Sequence, residues 1–317
     1  MSSVARIISQ RLGQALATAA VLASLCFVFV HALPGDLALR VAAARVGDER
    51  VTPETADRIR REEGLDRPIP VQYGQWMGNL ARGDLGRSLV SGKPVTQELA
   101  YHGALTLQLG LIGWLLSYLI ALPLGLAAGF RPGGIVDRAT DMLAVTLASL
   151  PSFLVGIGLI TWFALTLRWL PPAGFRTGAH TVLPASTLAL SLVAYSIPVI
   201  RNAVAEVRSA FFMTFARLKG LDARGAFRHH GVRNAAVPVV TYAALQFAFV
   251  IDGFVVVETL FNYPGLGELL VKALLARDVP VIMGIGLMIG FAFAMVSLVA
   301  DLFCFWLDPR QRREVAA

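Results

Sequence analysis

At 317 residues, 56% hydrophobic and 15% charged, with a mean hydropathy of +0.64, the chain is too apolar for a soluble globular protein. Its formal charge of +7 has no contiguous soluble basic domain behind it, which leaves a nucleic-acid partner nothing to bind. The two cysteines, Cys26 and Cys304, both lie inside apolar stretches and suggest neither a disulfide framework nor a metal site.

The charges are segregated. A helix needs about 20 apolar residues to cross a bilayer. No Asp, Glu, Lys or Arg occurs between Arg11 and Asp36, Glu98 and Arg131, Asp141 and Arg168, Arg176 and Arg201, Arg233 and Asp252, or Asp278 and Asp301. These intervals place six transmembrane helices at 12–34, 103–130, 140–167, 181–200, 236–257 and 279–306. Gly125, Pro151 and Pro198 within them are costly in soluble helices but common in membrane ones. The alternative for the first span is a cleaved signal peptide, since Arg6 and Arg11 precede it. The apolar core of such a peptide runs about 7–15 residues, and Leu12 to Pro34 is longer.

Residues 35–102 form a large loop with structure of its own. Thr52-Pro53-Glu54 reads as an N-cap followed by Pro at the first helical position, predicting a helix through Arg61 that stops at Gly64. Tyr73 and Trp76 are expected to anchor an amphipathic cap on the outer membrane surface, and contact with substrate is the alternative. Phe130-Arg131-Pro132-Gly133-Gly134 and Pro171-Pro172-Ala173-Gly174 are short turns. The segment 258–278 is an outer re-entry around Tyr263-Pro264-Gly265, with a short helix over Val271–Arg277. Gly284, Gly286 and Gly290 suggest close packing of the last span.

Basic residues set the orientation, because short cytosolic loops carry the excess of Lys and Arg. With a cytosolic N-terminus (1–11), the inner segments hold Arg6, Arg11, Arg131, Arg138, Arg201, Arg208, Arg217, Lys219, Arg224, Arg228, Arg233, Arg310, Arg312 and Arg313. The short outer loops hold only Arg168, Arg176, Lys272 and Arg277. Both termini, including the tail 307–317, are therefore expected inside and 35–102 outside.

The most informative stretch is the cytosolic segment 201–235, running up to Pro238. Gly220 can take the backbone angles that join two helices at a sharp turn. Asp222 suits the N-cap of a following helix, and Pro238 suits the first turn of the next span. A basic connector alone explains the charges but not these three residues together. The wording Thr214-Phe215-Ala216-Arg217-Leu218-Lys219-Gly220-Leu221-Asp222, continuing through His229-His230-Gly231-Val232-Arg233, resembles the ATPase-docking motif of ATP-binding-cassette importer permeases of the oligopeptide/dipeptide/nickel family. Gly64-Leu65-Asp66-Arg67-Pro68, Gly83-Asp84-Leu85-Gly86, Tyr263-Pro264-Gly265-Leu266-Gly267 and the closing Asp308-Pro309-Arg310 resemble the same family. Thr214 and Phe215 depart from it, standing where Glu and Ala are usual.

The resemblance implies the all-α, type I importer permease fold in a bacterial inner membrane. It implies no cofactor in this chain, with ATP and Mg²⁺ bound by partner subunits. The implied partners are a second permease, two cytosolic ATP-binding subunits and an extracytoplasmic substrate-binding protein. The implied coupling residues are Ala216, Lys219, Gly220, Leu221, Asp222, Arg224, His230 and Arg233, with a short docking helix starting near Leu221. His229, His230 and Arg233 are expected to pack at the membrane side of the segment. The implied cargo is peptide, with nickel or a metal chelate as the alternative.

Enzyme chemistry is not expected. The chain has no G-x-x-x-x-G-K-[ST] loop and no H-E-x-x-H pair, and no G-x-S-x-G elbow. Asp252 falls inside the fifth span, where a charge almost always faces protein or water. It is either a carboxylate lining the substrate path or a structural group near the outer end. Asp301 is expected to be structural. An ion-driven secondary transporter is the rival reading. It would be expected to carry paired intramembrane carboxylates, where this chain has one well inside a span.

Overall fold

The computed structural model describes residues 35–47, 51–62 and 64–307, with scattered positions between 9 and 32; at 46, 248–254 and 300–307 it describes the backbone alone. Cys26 and the tail beyond 307 lie outside the described residues, as do the side chains of Asp252, Asp301 and Cys304. Among the described residues every named element is helical, and the one extended pairing is an isolated bridge between Arg87 and Pro94.

The loop before the second span is largely helical. Helix α1 (Leu37–Val46) starts where the Asp36 carboxylate accepts from the Ala38 amide, and it ends at Gly47 with φ of 87°. Helix α2 (Pro53–Glu62) starts with Thr52 Oγ1 accepting from the Thr55 amide at 3.2 Å, and Gly64 (φ 64°) follows its end. Helix α3 (Ile69–Ala81) follows Pro68. Helix α4 (Val95–Phe130) begins well before the expected 103, because Val95, Thr96 and Gln97 continue the helix outward from the apolar stretch.

The span expected at 140–167 is not one straight helix. Helices α5 (Ile135–Ser149) and α6 (Ser152–Leu159, continued by a π-helical stretch at Ile160–Thr166) meet at 102°. Pro151 causes the break. It has no amide to donate, and its ring holds Leu150 in extended backbone at ψ 123°.

Helix α7 (Ala179–Ser209) runs through Pro184 and Pro198 and past 201, so the first turns of the expected cytosolic loop are helix. Ala210, at ψ 145°, ends it. Helix α8 (Phe211–Leu218) and helix α9 (Ala223–Ala226) follow. A π-helical turn at Phe227–Gly231 then leads into helix α10 (Val232–Leu260). Pro238 therefore lies inside a running helix rather than in its first turn. Helix α11 (Leu266–Ala276) ends at Arg277 in the left-handed region (φ 54°), and helix α12 (Val279–Leu307) closes the described chain. By length and composition α4, α7 and Val279–Val299 of α12 can each cross a membrane; the bent α5–α6 pair is a fourth if counted as one broken span.

The chain forms two compact units. One is built on 107–263, the other on 9–106 and 264–294. In the first, α7 is central: Val193, Ile197, Ile200 and Val204 are at most 1% exposed. Glycines on α4 let it approach closely. A Cβ at Gly125 would lie 2.7 Å from Ile200 Cβ, and one at Gly129 would lie 2.7 Å from the Arg201 carbonyl. Polar groups join α7 to α10, with Gln246 donating to the Leu192 carbonyl and accepting from Ser196, both at 3.1 Å. Such bonds suit an apolar setting, where the alternative is an unsatisfied group.

In the second unit Phe27, Val95, Leu99, Leu266, Ile282, Met283 and Ile285 form the core. Tyr73 and Trp76 pack against this core, Tyr73 bonding Ser24 at 2.7 Å and meeting Phe27 edge-on at 5.2 Å. Both rings are partly buried in this packing. Gly284 packs as its spacing implied, since a Cβ there would lie 2.6 Å from Val95. The buried Asp278 carboxylate accepts from Ser88 Oγ and from the Leu89 and Val90 amides at 3.0 and 3.3 Å, tying the 86–92 turn to the start of α12. Burial pushes its carboxyl above the usual range despite these bonds.

Candidate functional site

The site is built from the segment between α7 and α10. Helix α8 has two sides. Met213 (0% exposed) and Ala216 (6%) face the core that holds Ile200, Val204 and Val207 of α7. Phe211, Phe215 and Leu218 are 83%, 51% and 81% exposed. Their spacing of four and three residues puts them in one stripe along the helix. An exposed apolar stripe on a short amphipathic helix marks an interaction surface rather than a folding core.

The turn after α8 is made as the sequence implies. The Gly220 amide donates to the Arg217 carbonyl at 2.9 Å, and its φ of 92° suits glycine alone. A Cβ added there would meet nothing within 4 Å, so the demand at this position is conformational and not steric. The Asp222 side chain accepts from the Gly225 amide at 3.0 Å and caps α9. Capping stabilises such an end by about 1 kcal/mol.

The other assigned residues fall into two groups. Ala216 is buried, and Leu221 is half-buried against the same core. Lys219, Arg224, His230 and Arg233 are exposed, with the Lys219 ammonium 4.7 Å from the centre of the Phe215 ring. His229, His230 and Arg233 do not pack as expected; all three are exposed, and the two imidazoles sit 6.4 Å apart. The two imidazoles lie on the outer side of the π-helical turn, while Phe227 and Gly231 take the buried side. The helix that follows Leu221 is also only a single turn continuing into α10. The free-standing helix with an outward apolar stripe is α8, ahead of Gly220.

Beside this segment Asp137 and Arg201 form a two-point ion pair. Nε and Nη2 of Arg201 each lie 2.8 Å from a carboxylate oxygen, and the Gly133 amide donates to the same carboxylate at 2.7 Å. The Arg201 hydrogen bonds, with the Gly133 amide second, hold the Asp137 carboxyl down at about 2. The pair borders a cavity of about 220 Å³ together with Arg138, Thr140, Asp141, Ile197, Pro198 and Asn202. Sequence reasoning missed this pair, although Asp137 and Arg201 both stand at span ends. It also missed the α8 stripe, whose i, i+4, i+7 spacing was available to be read.

Residues 121–313 match the family described as the inner membrane component of binding-protein-dependent transport systems, and residues 4–97 match its N-terminal companion. A putative peptide transport system permease protein of Brucella abortus is 36% identical over 314 residues, covering 96% of this chain and 98% of the relative. A glutathione transport system permease protein of Pectobacterium atrosepticum is 38% identical over 288 residues, covering 91% and 92%. A probable peptide ABC transporter permease protein of Sinorhizobium fredii is 34% identical over 313 residues, covering 96% and 98%.

Proposed function

This chain belongs to the inner-membrane components of binding-protein-dependent transport systems, among the peptide-type permeases of ATP-binding-cassette importers, and we propose that it forms one half of a translocation pathway for small peptides. The relatives named for peptide and glutathione transport support that cargo class. A second permease subunit completes the pathway. Two cytosolic subunits bind ATP with Mg²⁺ and hydrolyse it, and an extracytoplasmic binding protein delivers the peptide.

In this reading six spans, the third broken at Pro151, cross a bacterial inner membrane with both termini inside and 35–102 outside. The segregation of basic residues supports that orientation. Asp252 is assigned to the fifth span as a carboxylate that meets cationic groups of the cargo.

The observation that carries the reading is the outward stripe of α8. Phe211, Phe215 and Leu218 fit an apolar groove on the ATP-binding subunit, with the Lys219 ammonium beside them. Closure of the two ATP-binding subunits then pulls α8 and drives the spans. The test is co-purification from detergent after co-expression with the ATP-binding subunits. Phe215→Ser combined with Leu218→Ser removes two of the three members of the stripe without touching the buried Met213 and Ala216. It should leave the monodisperse elution of the permease unchanged and lower ATP-binding-subunit recovery at least tenfold. Undiminished recovery would overturn the assignment.

A further inference from the structure

Docking on α8 is useful only if displacement of that helix reaches the spans, and the segment has two places where motion can be absorbed. Ala210 is extended and separates α8 from α7, and the Gly220 turn separates it from α9. Beyond Gly220 the chain is continuous. Asp222 caps α9, which passes through the Phe227–Gly231 turn into α10 without a gap. A π-helical turn carries one residue more per ring than an α-helix and recurs at functional positions.

The ring of Phe227 occupies the inner side of that turn and is 6% exposed. It lies so close over Gly231 that an added Cβ would sit 2.5 Å from the ring. It also meets Phe130, the last residue of α4, edge to face at 4.8 Å. The Arg208 guanidinium stands 5.1 Å from the centre of the Phe130 ring and donates to the Phe130 carbonyl, satisfying an open carbonyl at the end of α4. The C-terminal ends of α4 and α7 and the N-terminal approach to α10 therefore meet at one aromatic contact. Met213 of α8 belongs to the same buried cluster.

We propose that Phe227, held between Gly231 and Phe130, is the joint through which displacement of α8 and α9 is passed to α4 and α10. It is a positioning residue for transport, acting through helices rather than on the cargo, and the proposal rests on the docking reading above. Packed interiors shift between discrete arrangements instead of yielding smoothly, so a filled contact transmits displacement where a loose one dissipates it. Leucine keeps the site apolar but lacks the edge that meets Phe130. Gly231→Ala keeps the ring but drives it off its seat.

The experiment uses the full assembly with binding protein and ATP-binding subunits in proteoliposomes, measuring ATP-binding-subunit retention, ATP hydrolysis and peptide uptake per ATP. Phe227→Leu and Gly231→Ala should each retain the ATP-binding subunits and hydrolyse ATP within twofold of wild type, while uptake per ATP falls at least tenfold. Phe130→Leu should do the same, and Phe130→Leu with Phe227→Leu should be no worse than either alone. Phe227→Tyr, which keeps the ring, should stay within threefold of wild type. Uptake per ATP unchanged in Phe227→Leu with the subunits retained would overturn this proposal alone, as would independent, multiplying losses in the double variant. Failure of wild-type chain to retain the subunits would overturn the docking reading, and the joint with it.

Discussion

Replacing Arg201 by leucine removes one member of an ion pair whose other member is largely buried. Asp137 is 6% exposed and takes three hydrogen bonds, two of them from Arg201. Removing one partner of a fully buried pair costs about 3–5 kcal/mol, whereas an exposed pair contributes up to about 1 kcal/mol. The Arg201 side chain is 35% exposed, against 8% for Asp137, so the expected loss lies between these limits, at roughly 1–3 kcal/mol. For a domain of 150–250 residues this lowers Tm by roughly 2–12 °C.

The pH dependence carries a definite sign. In the wild type the carboxyl is held at about 2, below its ordinary value near 3.8. The stabilisation from the pair is thus complete above about pH 4 and is lost as pH falls through about 2. In Arg201→Leu the guanidinium is gone, but the Gly133 amide still lowers the carboxyl by more than burial raises it. The carboxylate therefore stays ionised down to about pH 4, and the deficit should be the same at pH 7 and pH 4. Asp137→Asn in the same chain should recover most of the loss, since no charge is then left unpaired. Thermal unfolding of the detergent-solubilised protein, followed by fluorescence-detected size exclusion at both pH values, reads all three quantities. A loss below about 0.5 kcal/mol, or a deficit that narrows between pH 7 and pH 4, refutes the reasoning.

Two further substitutions probe the packing and the turn. Gly129→Ala puts a Cβ 2.7 Å from the Arg201 carbonyl, a backbone atom that cannot swing aside, and should destabilise α4 against α7 by roughly 1–3 kcal/mol in the same unfolding assay; an unchanged Tm contradicts that close approach. Gly220→Val has open space but the wrong φ, costing roughly 1–3 kcal/mol of local strain. The protein should still elute as a monodisperse peak while recovery of the ATP-binding subunits falls, and full recovery would show that the turn does not set the docking geometry.

Much of this was legible in the residues because it depends on local chemistry. Apolar intervals between charges predict helices in water or lipid alike, and Thr52-Pro53, Gly220 and Asp222 each act within a few residues of themselves. The bend at Pro151 was within reach of the same reasoning, since proline constrains the residue before it, but a span that is apolar throughout hides a break that composition cannot register. Packing across long separations was not legible. Nothing in the sequence says that Phe130 meets Phe227 or that Asp137 meets Arg201, because these pairs form only when four helices are brought together. The packing of Tyr73 and Trp76 against the core around Phe27 was likewise not legible, because it joins residues almost fifty positions apart.

The central claim is that ATP hydrolysis by partner subunits, and not an ion gradient, drives peptide across this protein. The direct measurement is uptake of a labelled small peptide into proteoliposomes holding the complete assembly, with ATP enclosed on the cytosolic side and binding protein outside. The account predicts uptake that requires ATP, rises with binding protein, and persists when proton and sodium gradients are collapsed by ionophores. Uptake that proceeds without ATP and vanishes with the gradients would contradict it.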